Sequence, residues 1–461
     1  MGMFAVVCAS AIAQTPSLTA APVPMFSPAE RAQIAAFWMQ PGRMVQGLPQ
    51  NIVTNGVWQV RPDPAGSAWL LKYQVAEGAA AAPPTTSPTA VETLPAQQTW
   101  RNWVTAAIAW DKYRAQVVAD GDNEKLQVGT KLGLEGTAPP SPGPMPSGLQ
   151  AACGDAPPFA DVVAPQTTTV TFDDGSSYTY QDHTDVPLSY AYYRFPQGTD
   201  TGGTAVRSMP ASELDNLFKR AGLTKQEAKA ARAVSMLEGG FDSVNTYDTG
   251  YVSIGFLQFI TSGDGRGDLM HVLTREKLDN LTAYNRDFRS FGVDVTPDGT
   301  LDVVNPDTGS ELVGSDAVMA VIRDKRLTAV FQHAGEKSSA FRIAQIEVAG
   351  ADYWPGNDPV SVNINGSVLT GLVSDVVHSE AGMTTLFDRK VNRGNIDPFA
   401  AVLQQVMVKH GLTSIPAAAP YERVIIKQCT YRHDFLNDTN LSQPPPSPAG
   451  SNNGNQNNNT N

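Results

Sequence analysis

The chain has 461 residues, of which 41% are hydrophobic and 17% are charged, enough for two or three folded units with buried cores. Its formal net charge is −12. Nucleic-acid binding needs lysines and arginines clustered on one face, and only residues 323–326 come close to such a cluster. The composition therefore argues against a nucleic-acid partner.

The N-terminus has the features of a secretory signal peptide. An apolar segment from Met3 to Ala13 ends in small residues at the two positions that a signal peptidase reads. No Lys or Arg precedes it, and an N-terminal strand is the alternative interpretation. No other stretch is long and apolar enough to span a membrane. We therefore expect residues 1–13 to be removed and the mature protein to be periplasmic or secreted.

Two cysteines remain after removal of the signal, Cys153 and Cys429. Export permits them to pair, but their sequence separation says nothing about geometry, so a disulfide and two separate buried thiols stay open. The chain has no Cys-x-x-Cys motif and no Cys/His cluster. We predict neither a metal site nor a cofactor.

Residues 14–147 are predicted to form a region of helices and strands whose role is unknown. Its first helix is predicted to start at Ser27, which can cap it, and to reach Met39. Pro28 at the first helical position and Glu30 at the third are typical of a helix start.

The rest of this region alternates between regular elements and linkers. Gly56 to Val75 is interpreted as two strands around an Asp-Pro-Ala-Gly turn, and residues 79–88 as a linker. A second helix is predicted near Gln98 to Val118. Five prolines in residues 133–147 place a boundary there.

A β-hairpin is predicted from Thr167 to Tyr180, within a connecting unit of residues 148–204. The dipeptide Asp174-Gly175 lies between alternating β-branched and aromatic residues, which is a strong hairpin signal.

Residues 205–436 are predicted to form a mainly helical unit. The helical pattern extends from Ala211 to about His410, with one embedded β-rich stretch from Phe241 to Phe259. Apolar residues within 316–353 suit buried helices. Residues 437–461, which are rich in Asn, Pro and Ser, are predicted to be disordered.

One helix of this unit is predicted to end in a carboxylate. Thr224 and Glu227 form a capping box at its start. Ala230, Ala233, Val234 and Leu237 follow at helical spacing. Gly239-Gly240 should then stop the helix, with Glu238 as its last residue.

That position is expected to raise the pKa of Glu238. A helix C-terminus disfavours a negative charge, and Met236, Leu237 and Phe241 would exclude water. A carboxylic acid that keeps its proton near neutral pH can protonate the leaving oxygen of a glycosidic bond. The alternative is an exposed glutamate before a glycine cap.

The sequence after Glu238 carries a resemblance to a known family. Glu238-Gly239-Gly240 is followed by a β-excursion and then by Gly255-Phe256-Leu257-Gln258. In this order of motifs the chain resembles the lysozyme superfamily, over residues 205–434. The resemblance implies an α+β fold with a mainly helical, lysozyme-like catalytic domain, a small β-excursion and a substrate cleft.

The resemblance also implies roles for single residues. Glu238 would be the general acid, Gln258 would lie on the cleft floor, and Gly255 would allow the backbone to approach the sugar. Gly239 stands where lytic transglycosylases usually have serine. The excursion, rich in Tyr and Asp, is similar to that of chitosanases, in which an aspartate activates water.

Asp248 is the candidate for that second carboxylate. It could act as general base, with Thr249 holding the water and Tyr247 stacking on a sugar ring. Ordinary turn chemistry is the alternative for Asp248, and Asp242 and Asp264 compete for the role of base. Hydrolase and transglycosylase activity both stay open at this point.

Two further segments could line a cleft. Residues 262–268 form a Gly-rich loop without the full ligand spacing of an EF-hand, and a solvated loop is the preferred interpretation. Residues 379–395 are predicted as a helix with Met383, Leu386, Phe387 and Val391 buried. Its other face, with Thr384, Asp388 and Asn392, is interpreted either as the opposite cleft wall or as a surface network between Asp388 and Arg389.

These patterns predict an exported glycoside hydrolase or lytic transglycosylase that cleaves β-1,4 bonds of a cell-envelope amino-sugar polymer. Peptidoglycan is the preferred substrate and chitosan the second. The alternative is a protein that binds envelope glycan without cutting it. The sequence contains no Gly-x-Ser-x-Gly, His-Glu-x-x-His or P-loop motif, so serine-hydrolase, metalloprotease and nucleotide chemistry have no support.

Overall fold

The computed structural model describes residues 24–48, 56–81, 95–125 and 138–448. Helices predominate, and all the strand pairs within these residues are antiparallel. The predicted α+β class is therefore confirmed. The predicted signal peptide, residues 1–13, lies outside the described residues.

The α-helices of the described part differ widely in length. In chain order they are α1 (Pro28–Trp38), α2 (Pro64–Ala81), α3 (Pro95–Lys125), α4 (Ser147–Cys153), α5 (Ala211–Arg220), α6 (Lys225–Ser235), α7 (Asp268–Asp279), α8 (Leu281–Asp287), α9 (Ser315–Arg323), α10 (Lys325–Lys337), α11 (Ser339–Val348), α12 (Glu380–Arg393), α13 (Phe399–His410) and α14 (Glu422–Cys429).

The strands form small sheets of two to four members. Their bounds are β1 (Met44–Gly47), β2 (Gln59–Pro62), β3 (Ala160–Val163), β4 (Thr167–Thr171), β5 (Ser177–Gln181), β6 (Asp200–Thr201), β7 (Val244–Asn245), β8 (Ser253–Ile254), β9 (Phe259–Ile260), β10 (Val293–Val295), β11 (Leu301–Val304), β12 (Glu311–Val313), β13 (Pro359–Ile364) and β14 (Ser367–Leu372). The sheets have the orders β1-β4-β5, β2-β3, β6-β7-β8-β9, β10-β11-β12 and β13-β14.

The buried apolar side chains form two clusters. The larger cluster joins α1 and the β4–β5 hairpin to the part of the chain from Val206 to Leu441. The smaller cluster lies among α2, α3 and α4 and includes Trp69, Leu149 and Cys153. Cys429 belongs to the larger cluster, and both thiols are free and buried. The structure therefore has two separate thiols, and the disulfide alternative is wrong.

Helix α1 confirms the predicted start. The Ser27 hydroxyl accepts from the Glu30 N–H at 3.3 Å, and the Glu30 carboxylate accepts from the Ser27 N–H at 2.7 Å. Such a cap stabilises a helix by about 1 kcal/mol. The Trp38 indole donates to the Phe291 carbonyl at 3.0 Å, which fastens α1 to the larger cluster.

Of the two strands interpreted within Gly56 to Val75, the first is confirmed as β2 and the second is wrong, because a helix begins where a turn was predicted. The Asp63 carboxylate accepts from the Ala65 and Gly66 N–H groups at 2.7 and 3.1 Å, so Asp63 caps α2, with Pro64 as its first residue. A Cβ on Gly66 would lie 2.5 Å from the Pro158 carbonyl oxygen, so the glycine serves close packing.

The other predictions for this region have mixed outcomes. Residues 79–81 of the predicted linker belong to α2, and residues 82–88 lie outside the described part. The second predicted helix is confirmed as α3 and is longer than expected. Residues 138–146 contain neither helix nor strand, as their prolines predict.

The predicted hairpin is confirmed as β4 and β5, which pair from Thr171 opposite Ser177 to Thr167 opposite Gln181. Its turn contains Gly175 at φ +83°.

Beyond residue 205, the predicted core helices of residues 316–353 are confirmed as α9, α10 and α11. The sequence predicts only one β-rich stretch in this unit, but the chain forms two more antiparallel sheets there, β10-β11-β12 and β13-β14. The second of these turns at Asn365-Gly366, both at positive φ, a hairpin signal that is present in the sequence.

The prediction of a disordered C-terminus is wrong for residues 437–448. Leu441 is buried, and the Ser442 N–H donates to the Glu380 carboxylate at 2.7 Å. Residues 449–461 lie outside the described part. Among the described residues, no helix combines the length and hydrophobicity needed to cross a membrane.

Candidate active site

Glu238 lies in a turn just after α6. The predicted capping box is confirmed, since the Thr224 hydroxyl accepts from the Glu227 N–H and the Glu227 carboxylate from the Thr224 N–H. The α-helix ends at Ser235, and the Glu238 N–H donates to the Ser235 carbonyl at 3.2 Å. Glu238 is therefore three residues beyond the helix and not its last residue, as was predicted.

Close packing of two glycines explains the early turn. A Cβ on Gly240 would lie 2.1 Å from the Thr204 carbonyl oxygen, and one on Gly239 would lie 2.6 Å from the Ser243 hydroxyl. The chain leaves the helix to place both glycines against these neighbours. This brings Glu238 close to Ser243, which directly precedes β7.

The carboxyl of Glu238 is largely buried, with a side-chain exposure of 12%. One of its oxygens accepts from the Arg432 guanidinium at 2.6 Å and from the Asn392 amide at 3.2 Å. Burial raises the pKa of Glu238, the Arg432 charge and these hydrogen bonds lower it in part, and the Asp388 charge raises it; the net shift is upward.

The predicted direction of this shift is confirmed, but its predicted cause is only partly right. Met236 and Leu237 are exposed, so they do not shield the carboxyl, and only Phe241 of the three apolar neighbours is buried. The side chains that contact the carboxyl are polar, Arg432 and Asn392.

The polar face of α12 lies against Glu238. Asp388 is 1% exposed and accepts from Arg432 at 2.5 Å, while Asn392 contacts the Glu238 carboxylate directly. The partner of Asp388 is therefore Arg432 and not Arg389, which contradicts the predicted surface network. Thr384 belongs to the same face, but its buried hydroxyl donates to the backbone of its own helix.

The β-rich stretch after Glu238 is confirmed as β7, β8 and β9, to which β6 adds an edge strand. Asp200 on β6 is opposite Asn245 on β7. The Gly240 N–H donates to the Gly202 carbonyl at 2.9 Å. The turn that holds Glu238 is thus joined to the strand that holds Asp200.

Asp248 lies in the turn between β7 and β8. Its carboxylate accepts from the Asn245 amide at 2.9 Å, from the Gly250 N–H at 2.8 Å and from the Tyr190 hydroxyl at 3.4 Å. The first two bonds are ordinary turn chemistry. The third ties Asp248 to a tyrosine from a distant part of the chain. Thr249, next to it, is exposed.

The two competing aspartates are held in local networks. Asp242 is 4% exposed and accepts from the Thr204 N–H at 2.7 Å and from the Thr204 hydroxyl at 3.1 Å. Asp264 lies in an exposed loop, where it pairs with Arg266. The exposure of Asp264 agrees with the preferred interpretation of residues 262–268 as a solvated loop. Neither aspartate shares a hydrogen bond with Glu238 or Asp248.

Asp200 is a site residue that the sequence analysis missed. As a residue it is exposed, yet desolvation of its carboxyl and the nearby negative charge of Asp248 raise its pKa. The two carboxyls therefore lie near each other beside the sheet. Its sequence context of Thr and Gly gave no signal of such a role.

A group of tyrosines packs beside Asp248. The ring centroids of Tyr190 and Tyr193 lie 6.0 and 6.1 Å from that of Tyr247, and Tyr192 lies 5.6 Å from Tyr190. Tyr247 is 8% exposed, so it is mainly a packing residue, whereas Tyr192 is exposed. The run of aromatic residues at 190–195 is the sequence signal that could have indicated this group.

Gly255 and Gln258 lie near the turn that holds Glu238. Gly255 has φ +85°, and a Cβ there would lie 2.1 Å from the Gln345 side-chain oxygen. The glycine thus makes room for Gln345, which corrects the predicted approach to a sugar. The Gln258 amide donates to the Ser243 hydroxyl at 2.7 Å, and Ser243 packs against Gly239. Gln258 therefore reaches the turn of Glu238 through one intermediate residue.

One group among the described residues has donor atoms close enough together for a metal ion. Oxygen and nitrogen atoms of Asp268, His271 and Asp352 lie within 4.8 Å of one another. None of the three hydrogen-bonds to Glu238 or to Asp248.

Comparison with protein families, with curated proteins and with solved structures finds no match for this chain.

Proposed function

We propose that this protein is an exported glycosidase that cleaves β-1,4 bonds of a cell-envelope amino-sugar polymer, with Glu238 as proton donor. A lysozyme-like domain at residues 205–436 is part of this proposal. The observation that carries it is the largely buried Glu238 carboxyl with its raised pKa. Such a group can hold a proton toward neutral pH and deliver it to the leaving sugar oxygen.

In this reaction Arg432 would stabilise the carboxylate form of Glu238. When Glu238 gives up its proton, the new carboxylate is stabilised by the guanidinium that already donates to it at 2.6 Å. Asp388 balances the guanidinium charge in the resting state. Arg432 is thereby fixed in place before the proton moves.

Asp248 is the proposed base for a hydrolytic reaction. Three hydrogen bonds hold its carboxylate in one orientation, and it would take a proton from the water that attacks the sugar. Burial and the nearby charge of Asp248 raise the pKa of Asp200, which makes Asp200 the weaker candidate for the base. Tyr192 offers an exposed ring to a sugar.

Peptidoglycan is the first substrate to test and chitosan the second. The resemblance and the N-terminal segment favour peptidoglycan, whereas the net charge of −12 suits a cationic polymer. Both are amino-sugar polymers with β-1,4 bonds, and the proposed chemistry at Glu238 is the same for each.

The first experiment compares the parent with Glu238→Gln and with Glu124→Gln, an exposed control. We expect Glu238→Gln to release soluble fragments at least about 100-fold more slowly, as loss of a general acid requires, and Glu124→Gln to match the parent. Thermal unfolding checks that both variants fold. If Glu238→Gln degrades the polymers at the parent rate, the assignment is wrong. If the folded parent only binds them, the protein is a glycan-binding protein.

Mass spectrometry of the products tests the second carboxylate. A hydrolase leaves a reducing end and a transglycosylase an anhydro end. If products are reducing, Asp248→Asn should be slowed far more than Asp200→Asn. Anhydro products with a fully active Asp248→Asn would remove Asp248 from the mechanism while leaving Glu238 in place.

A further inference from the structure

A cavity of about 970 Å³ lies between the β10-β11-β12 sheet and the start of the described chain. It shares no lining residue with the Glu238 site. Its lining combines apolar, hydroxyl and acidic side chains, among them Met25, Val313, Thr300, Ser310, Asp302 and Glu311. Cavities of this volume accept small organic ligands.

Asp302 is the unusual residue of this cavity. It is 1% exposed, and neither of its carboxyl oxygens accepts a hydrogen bond from a described residue. Its strand partners are Asp294 on β10 and Val313 on β12, so these three side chains share one face of the sheet. A buried carboxylate without a donor is strongly destabilised relative to its protonated form.

The neighbouring carboxylates have already taken the nearby cations. Asp294 accepts from Lys277 at 2.6 Å and also pairs with Arg289. Glu311 accepts from the Met25 N–H at 2.5 Å and from Arg31 at 3.3 Å. Asp302 therefore needs either a proton or a cation from outside the protein.

The pKa of Asp302 is consistent with its lack of hydrogen-bond donors. Burial, the contact with Glu311 and the charge of Asp294 raise the pKa of Asp302, and Arg289 lowers it only in part. In the free protein Asp302 thus keeps a proton, which a bound cation would displace. The charged groups that bear on it are Asp294, Glu311, Arg289, Arg31 and Lys277.

We propose that this cavity binds a small ligand that carries a protonated primary amine and several hydroxyl groups, such as a hexosamine, with its ammonium group on Asp302. An ammonium supplies the donors that both Asp302 oxygens lack. Thr300 and Ser310 offer hydroxyls to the polar edge of such a ligand, and Met25 and Val313 offer apolar surface to a ring. The cavity is far larger than a bare cation requires. This site does not depend on the proposed function of Glu238.

Isothermal titration of the full chain with glucosamine, glucose and N-acetylglucosamine tests the proposal. We expect glucosamine to bind at least about tenfold more tightly than the two sugars without an ammonium group, which corresponds to about 1.4 kcal/mol. Asp302→Asn should lose this preference. Glu124→Gln, which changes an exposed carboxylate that does not line the cavity, should keep it.

A second measurement detects the displaced proton. The heat of glucosamine binding should vary with the ionisation enthalpy of the buffer for the parent, and this variation should vanish for Asp302→Asn. Equal binding of glucose and glucosamine, or unchanged binding by a folded Asp302→Asn, overturns the proposal. The proposal is also overturned if titration shows that the parent binds calcium but not glucosamine. Glu238→Gln should bind glucosamine as the parent does, which separates this test from that of catalysis.

Discussion

At the scale of single residues, Arg432 determines the state of the candidate site. It bridges Glu238 and Asp388, which lie 194 and 44 residues away in the sequence. One cation between two carboxylates leaves one negative charge in excess. Asp388 is the more deeply buried of the two and accepts from both Nε and Nη2 of Arg432, whereas Glu238 accepts from Nη2 alone, and the pKa of Glu238 is raised.

Replacing Arg432 by glutamine should therefore raise the pKa of Glu238 further, because the charge that lowers it is removed. The high-pH limb of the activity profile should move to higher pH. Asp388 would lose its cation, which should lower the free energy of unfolding at neutral pH by about 1–3 kcal/mol, allowing for the partial exposure of the pair.

Rates across a pH series and urea unfolding measure the two effects, with Arg220→Gln at an exposed helix position as the control. A high-pH limb that stays in place or moves down would mean that Glu238 is not the titrating acid.

Sequence reasoning reached only some residues of this site. Glu238 could be found because a capping box and two glycines mark the helix before it, and the polar face of α12 could be found from helical spacing. Arg432 and Asp200 could not, because nothing in a linear sequence indicates which distant side chain folds against a given carboxyl.

At the scale of elements, Gly255 shows how a glycine fixes the turn between β8 and β9. It combines a positive φ with close contact to the buried Gln345, whose side chain accepts from the Phe256 N–H at 3.2 Å and donates to the Phe241 carbonyl at 3.0 Å. Gln345 thus links this turn and the turn after Glu238 to helix α11.

Gly255→Ala should lower the free energy of unfolding by about 2–5 kcal/mol, since it adds backbone strain and a steric clash. Gly366→Ala is the matched control. Gly366 has a similar φ, +86°, but a Cβ there meets no atom within 4 Å. Its cost should be about 1–2 kcal/mol. Denaturant unfolding of both variants separates the clash from the strain, and equal costs would contradict the role given to Gln345.

Local signals decided which elements the sequence could predict. The capped helices α1 and α6 and the β4–β5 hairpin carry strong caps or a strong turn, and they were predicted. The Asp-Pro-Ala-Gly segment is compatible with a turn and with a helix cap, and in the structure Asp63 caps α2 while Gly66 packs on Pro158, a distant contact that the sequence does not indicate. The strands of β10-β11-β12 are three or four residues long, too short for a clear period.

At the scale of the whole molecule, several buried carboxyls share one direction of pKa shift. Burial and the neighbouring Asp287 raise the pKa of Glu276, and burial also raises those of Glu238 and Asp302. These groups keep their protons in the folded protein at pH values where the unfolded chain has lost them.

The free energy of unfolding should therefore decrease as the pH rises above the ordinary carboxyl pKa, by up to about 1.4 kcal/mol per pH unit for each retained proton. We expect greater stability at about pH 5 than at about pH 8. Glu276→Gln should flatten this dependence, and Glu124→Gln should not. Urea unfolding at several pH values measures the slope, and a slope that is unchanged in Glu276→Gln would contradict the shift assigned to this residue.

Single helices and the β4–β5 hairpin could be predicted from periodicity and turn chemistry, which are local, whereas the α+β class was an expectation from the resemblance. The division of the core into two clusters could not be predicted, because it depends on which helices meet. Whether the two cysteines pair could not be predicted for the same reason.

The pairing of β1 with β4 places Gly47 opposite Thr167. The chain between them therefore departs from the sheet and comes back to it at adjacent positions, as happens where one domain is inserted into another. The helices of the smaller cluster all lie within this excursion. A short loop from Gly47 to Thr167 would keep the β1-β4-β5 pairing, but removal of the excursion would uncover Ala191, which is buried in the smaller cluster.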